Sequence, residues 1–218
     1  MKLLIMTVTA LMSVFGVSAE TSPNSSEAKV LNATQNKYQA GLHYDLINPA
    51  WPGRTEEPVV YEFFSYMCPG CNAFEPIMQE LKGQISETQT IIRVPVAFYS
   101  QWEPHAKAYH ALQMMGELEQ AHEALFAAIH KFKKPLRTLP DIAAWLSNSF
   151  AIDEQKFLST AQSFAVDAQI RKDKQMVKAM GIGTVPTLVV NGRFKLNFDQ
   201  LKTPANILDA TVQLLNQH

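Results

Sequence analysis

The sequence predicts an α/β fold interrupted by a long, all-helical insertion, and three observations carry that prediction. Two runs dense in β-branched and aromatic residues, 58–66 (PVVYEFFSY) and 90–98 (TIIRVPVAF), flank a segment of helical character and read as strands. From Pro104 to about Met180 the chain is dominated by Ala, Leu, Glu, Gln, Lys and Met, with no strand signal. Residues 187–190, Asn191-Gly192 and 193–196 then give strand, turn and strand, because Asn-Gly suits a tight hairpin turn.

The first residues read as an address. Met1-Lys2 is a short positive start, and Leu3 to Val17 is an apolar run broken only by Thr7, Thr9, Ser13 and Gly16. Val17-Ser18-Ala19 supplies small residues for cleavage before Glu20, so 1–19 is expected to be a signal peptide. A membrane anchor is the competing reading, but the run is shorter than the roughly 20 apolar residues of a spanning helix. Removing Lys2 takes Lys+Arg from 19 to 18, against 20 Asp+Glu. That balance suggests neither a basic footprint for nucleic acid nor a polybasic membrane patch.

Residues 20–40 are rich in Ser, Asn, Thr and Gln and read as a loosely ordered polar arm. A short strand is expected around 42–47, with Pro49 and Pro52-Gly53 in the loop after it. The 58–66 run shows little alternation, which suits a central strand covered on both faces. Cys68-Pro69-Gly70-Cys71 ends it, and a helix follows to about Gly83, with Ile77, Met78 and Leu81 at helical spacing and a kink expected at Pro76. Pro95 argues for an edge or a bulge in the second strand. Breaks in the helical block are expected near Gly116, at Lys134-Pro135 and at Leu139-Pro140, and a last amphipathic helix is expected over 204–215. With 104–180 set aside, the stretches 41–103 and 181–218 have the element order of a thioredoxin core.

The chain has two cysteines, three positions apart. A bridge between Cys68 and Cys71 closes too small a loop to restrain the unfolded chain much, so chemistry explains the pair better than stability. A cysteine at a helix N-terminus faces unpaired N–H groups and the positive end of the helix dipole, both of which favour thiolate. Pro69 fits the first helical turn. Cys68 is then the attacking sulfur, and Cys71, one turn on, the resolving one. The spacing also opens zinc sites, with His105 and His110 as the candidate further ligands. Five residues apart on one helix, however, they diverge in azimuth, and His105, His110, His122 and His130 read as ordinary surface or helix-interior residues. No metal and no cofactor is expected. Val185-Pro186 reads either as a trans loop entering the hairpin or as a cis bond placed beside the cysteines. Glu62, an acid in a strand, points to solvent on pattern alone.

The segment from Glu62 to Cys71 (EFFSYMCPGC), Phe74-Glu75, Val185-Pro186 and 190–194 (VNGRF) together resemble the DsbA family of periplasmic dithiol oxidases, from about Leu42 to the C-terminus. The resemblance implies a thioredoxin-like core with an inserted all-helical subdomain, with the first cysteine exposed and a cis proline loop at Val185 and Pro186. It also implies reduced exported polypeptides as substrates, a periplasmic location, and reoxidation by a quinone-linked membrane protein. It places Glu62 beneath the disulfide, with Arg93 on the next strand as its basic partner. Gly70 departs from the familiar Pro-His dipeptide, and with it goes one stabiliser of the Cys68 thiolate. A reductase or isomerase of the same fold, or a folding helper that does not use its cysteines, are the competing functions. Residues 20–57 look too short and polar for the dimerisation domain that such isomerases carry.

Overall fold

The computed structural model describes residues 37–52 and 57–217. The expected signal peptide, 1–19, and all of the expected polar arm, 20–40, except residues 37–40 lie outside the described residues. From Tyr38 onward the chain forms one compact unit, so the helical insertion is not separate from the rest. Tyr38, at the end of the segment read as an arm, is buried, and its hydroxyl donates to Asp209 Oδ2 at 2.8 Å.

Five strands form one mixed sheet: β1 (Tyr44–Leu46), β2 (Val59–Phe64), β3 (Thr90–Pro95), β4 (Thr187–Val190) and β5 (Phe194–Leu196), in the order β1-β5-β4-β2-β3. Strand β2 is buried at every position, which explains its lack of alternation. It pairs parallel with β3 and antiparallel with β4. Strand β3 occupies the sheet edge, where Pro95 is tolerated: the Val96 N–H after it donates to the Phe64 carbonyl at 2.7 Å, so the missing Pro95 N–H falls on the open side. Helix α1 (Pro69–Gln84) continues through Pro76, and packs its Phe74, Met78 and Leu81 with Val60 on one face of the sheet. The last helix, Pro204–Leu215, covers the same face.

The insertion comprises α2 (Glu103–Met115), α3 (Leu118–His130), α4 (Leu139–Phe150), α5 (Glu154–Ala161) and α6 (Phe164–Ala179). Gly116 ends α2 at φ 76°, where the left-handed backbone favours glycine. Leu139-Pro140 starts α4 rather than breaking a helix: Pro140 sits in the first turn, where its missing N–H costs nothing, and Thr138 and Asp141 form a capping box. Helix α6 returns the chain to the sheet and packs Met176 against the face that Val59, Tyr61 and Phe63 present. The hairpin has the expected Asn-Gly residues, both left-handed (φ 53° and 61°), but the register Val190↔Phe194 includes Arg193, making the loop three residues long.

Candidate active site

Strand pairing builds the site. Since β2 and β4 run antiparallel with Phe63 opposite Thr187, the end of β2 and the start of β4 lie at one end of the sheet. Cys68 follows the first and Pro186 precedes the second, so the two motifs meet there. The Val185–Pro186 bond is cis, and Thr187 Oγ1 donates to the Thr184 carbonyl at 2.8 Å, tying the loop back on itself.

Cys68 is the N-cap of α1, with Pro69 in the first turn. The cap acceptor is its own sulfur: the Cys71 N–H donates to Cys68 Sγ at 3.3 Å. Cys68 Sγ also donates to the Val185 carbonyl at 3.4 Å. Both cysteines are free thiols; Cys68 is partly exposed and Cys71 is 0 % exposed. Burial drives the Cys71 thiol well above the ordinary thiol range, while a backbone hydrogen bond from the Ser65 turn works against it and the neighbouring Cys68 and Glu62 add to it. The two sulfurs therefore differ in kind: one has solvent access and a helix terminus, the other lies in the core.

Beneath Cys71 lies a charged cluster. Glu62 and Arg93 are direct partners in the β2–β3 register, so their side chains emerge on the same face. Arg93 Nε lies 3.1 Å from Glu62 Oε2, while neither Glu62 oxygen receives an aligned hydrogen bond among the described residues. Glu62 is 0 % exposed, contrary to the solvent-facing reading of the strand pattern, because helix α1 covers that face. Burial raises its carboxyl to about 7, against the pull of Arg93. Arg93 Nη1 donates to both oxygens of Glu75, at 3.0 Å each. Burial disfavours the Arg93 cation, but Glu62 and Glu75 more than offset that and keep it charged.

Glu75, quoted above only within the family resemblance, and His122, expected to be an ordinary residue, join this cluster. His122, buried on α3, reaches Glu75 Oε1 with Nε2 (3.3 Å) and the Tyr66 hydroxyl with Nδ1 (2.6 Å). Burial first, and Arg93 second, lower it to about 2, so the ring is neutral. Burial raises the Glu75 carboxyl while Arg93, donating to both its oxygens, works against that; with those oxygens acting as acceptors, Nε2 of the neutral ring carries the proton and the Tyr66 O–H donates to Nδ1. A groove of about 710 Å³ along the β3 edge, lined in part by Arg93, Tyr109 and His122, brings solvent to the rim of this cluster. His105 and His110, weighed as zinc ligands, reach different partners: the Leu136 carbonyl at 2.7 Å and Asp173 Oδ2 at 2.6 Å. Both are buried rather than on the surface, as is His122.

A strand ending in Cys-x-x-Cys at a helix N-terminus, faced by a cis X–Pro bond from the antiparallel neighbour, defines a thiol–disulfide oxidoreductase of thioredoxin fold. A family model described as thioredoxin matches residues 47–210. The thiol:disulfide interchange protein DsbA of Pseudomonas aeruginosa is 32% identical, over 99% of this chain and 95% of its own length. Its crystal structure superposes with a TM-score of 0.77, covering 83% of this chain and 94% of that one. The DsbA of Azotobacter vinelandii is 36% identical over 77% of each chain. A structure of a Proteus DsbA variant with a non-covalently bound peptide, 23% identical, shares the fold at a TM-score of 0.71, covering 84% of this chain and 98% of that one. The chain belongs to the DsbA family, and it is a thiol:disulfide oxidoreductase of the dithiol-oxidase kind.

Proposed function

We propose that the chain oxidises reduced, exported polypeptides in the periplasm through Cys68 and Cys71. In the oxidised enzyme a substrate thiolate attacks Cys68 Sγ; the Cys68–Cys71 bond breaks, and Cys71 leaves with the electron pair. The second substrate thiol attacks the substrate sulfur of the mixed disulfide and expels Cys68. The substrate loses two electrons, the enzyme ends as a dithiol, and a quinone-linked membrane protein takes those electrons to restore the bridge. Pro69 and Gly70 shape the turn that exposes Cys68, and the Val185-Pro186 segment offers backbone groups to an extended substrate. Glu62 supplies the proton that the leaving Cys71 thiolate takes up, with Arg93 and Glu75 holding the cluster around it.

The observation that carries this reading is the contrast between the sulfurs, with Cys68 accepting the Cys71 N–H at the helix end and Cys71 fully buried. The test is trapping. A Cys71→Ser variant, activated as a mixed disulfide with glutathione, is expected to accumulate a covalent complex with a reduced one-cysteine peptide, which has no second thiol to release it, while Cys68→Ser is expected to form none. Complexes formed equally by both variants would overturn the assignment.

A further inference from the structure

The overall acidic balance conceals a local concentration of positive charge. The loop between α3 and α4 reads Lys131-Phe132-Lys133-Lys134-Pro135-Leu136-Arg137, four cations in seven residues with no acid among them. Every residue of the loop except Leu136 is exposed, and Phe132 is 63 % exposed. Among the described residues, no acid lies within ion-pair distance of Lys131, Lys133 or Lys134. Only Arg137 is engaged, through its charge, with Asp141 of the α4 capping box. A charge balance summed over the whole chain hides this loop.

The loop is fixed, and it is fixed beside the reactive sulfur. At its start, His130 Nε2–H donates to the Tyr66 carbonyl at 2.7 Å, two residues before Cys68. At its end, Leu136 is buried in the cluster that holds Tyr66 and Cys71, and its carbonyl accepts from His105 at 2.7 Å. Cys68 packs against that same cluster. Between the anchors the backbone folds on itself: the N–H groups of Phe132 and Lys134 donate to the Ala127 and Ala128 carbonyls, each at 2.9 Å, and Lys133 takes φ 52°. The first anchor is thus two residues of chain, at most about 7 Å, from Cys68, and at about 0.01 M salt the Debye length is about 30 Å, so the field of the loop is felt well beyond its own residues. The apolar face of Phe132 is held out among them, with Lys131 Nζ 5.4 Å from its ring.

We infer that the Lys131–Arg137 loop is a recognition surface for the oxidase's substrates, and that it favours cysteines flanked by acidic residues. The inference rests on the proposed oxidase reading and names its substrate preference. Three unpaired cations and an exposed aromatic ring on a preorganised loop complement an extended segment carrying carboxylates and an apolar side chain. Its reacting thiolate is itself an anion, and the same field draws it toward Cys68 Sγ. An anionic membrane surface is the other partner such a loop can meet. The acidic polypeptide fits better, because a single apolar side chain gives little depth of insertion and the loop borders the sulfur that the substrate must reach.

The experiment compares the oxidised full chain on two-cysteine peptides that differ only in the flanking residues: Glu, Gln or Lys. Each rate is divided by that of the same protein on dithiothreitol, an uncharged dithiol. The Glu peptide is expected to react about three- to tenfold faster than the Lys peptide at low salt, with the ratio closing toward one at 0.5 M salt. The double variant Lys133→Glu, Lys134→Glu is expected to invert the order. Equal rates for the three peptides, or an order unchanged in the double variant, would overturn the inference. So would loop-dependent binding to phosphatidylglycerol vesicles without any peptide preference. Failure to oxidise dithiothreitol at all would count instead against the oxidase reading.

Discussion

We propose that Glu62 and Gly70 tune the redox behaviour of the pair, the first from the Cys71 side and the second from the Cys68 side. Burial raises Glu62 from 4.5 to about 7, so between those values the folded chain holds a proton that the unfolded chain releases. This contribution to stability is complete below about 4.5 and is lost as pH rises through about 7. Glu62→Gln is expected to flatten that slope, worth on the order of 2–3 kcal/mol, in urea titrations of the reduced protein from pH 4.5 to 8. The same variant is expected to shift the pH dependence of Cys71 alkylation; an unchanged profile removes Glu62 from the proton path. At Gly70, an added Cβ would stand 3.4 Å from Pro186 Cδ and 3.6 Å from Cys68 Sγ, so a side chain fits and falls beside the sulfur. Gly70→His is expected to raise the reduction potential against glutathione by about 30 mV, the equivalent of one added charge-assisted hydrogen bond; no rise sinks the idea. The cysteines were legible because their motif is local. Glu62 was not readable from pattern, because a strand buried on both faces has no alternation to break. Glu75 left a signal, an acid four residues after Cys71 on the buried stripe of α1. His122 left none, since it arrives from another helix.

At the scale of elements, the hairpin shows how a turn residue becomes a clasp. Asn191 is left-handed, as the turn requires, but it is also buried. Its Oδ1 accepts the Val59 N–H at 3.0 Å, and its Nδ2 reaches the carbonyls of Leu214 and Gln217, each at 3.2 Å. One side chain thus joins β2, the hairpin and the end of the last helix. Asn191→Ala leaves these buried groups unmatched and puts alanine at a positive φ, so a loss of about 2–4 kcal/mol is expected in urea unfolding. Asn191→Gly keeps the turn, and its smaller loss would separate the two contributions. The hairpin was readable because Asn-Gly acts locally; the clasp depends on where the last helix lands.

Across the whole molecule, the insertion and the sheet share a core. Phe64 from β2, Tyr66, and Cys71 from α1 belong to one cluster with Leu125, Phe126, Leu146 and Phe157 of the inserted helices. Phe126 lies 4.8 Å from the Tyr66 ring centre and is fully buried. Phe126→Ala is expected to cost about 3–5 kcal/mol. Tryptophan fluorescence and Cys71 alkylation are expected to report one common unfolding midpoint, in the wild type and in the variant; separate midpoints would show the insertion unfolding by itself. The insertion was visible in composition, but its role as the roof over Cys71 depends on helix packing that periodicity does not specify.

Since Cys71 is buried in that shared cluster, each catalytic cycle alternately ties and frees an atom of the hydrophobic core. Reduction and unfolding are then two edges of one thermodynamic square. The difference in unfolding free energy between the dithiol and disulfide forms equals the gap in reduction potential between the folded and unfolded chain, about 1.4 kcal/mol for every 30 mV. The unfolding free energies of the two redox forms, taken side by side at one temperature, therefore report how far folding shifts the oxidising strength of this protein, without any substrate present.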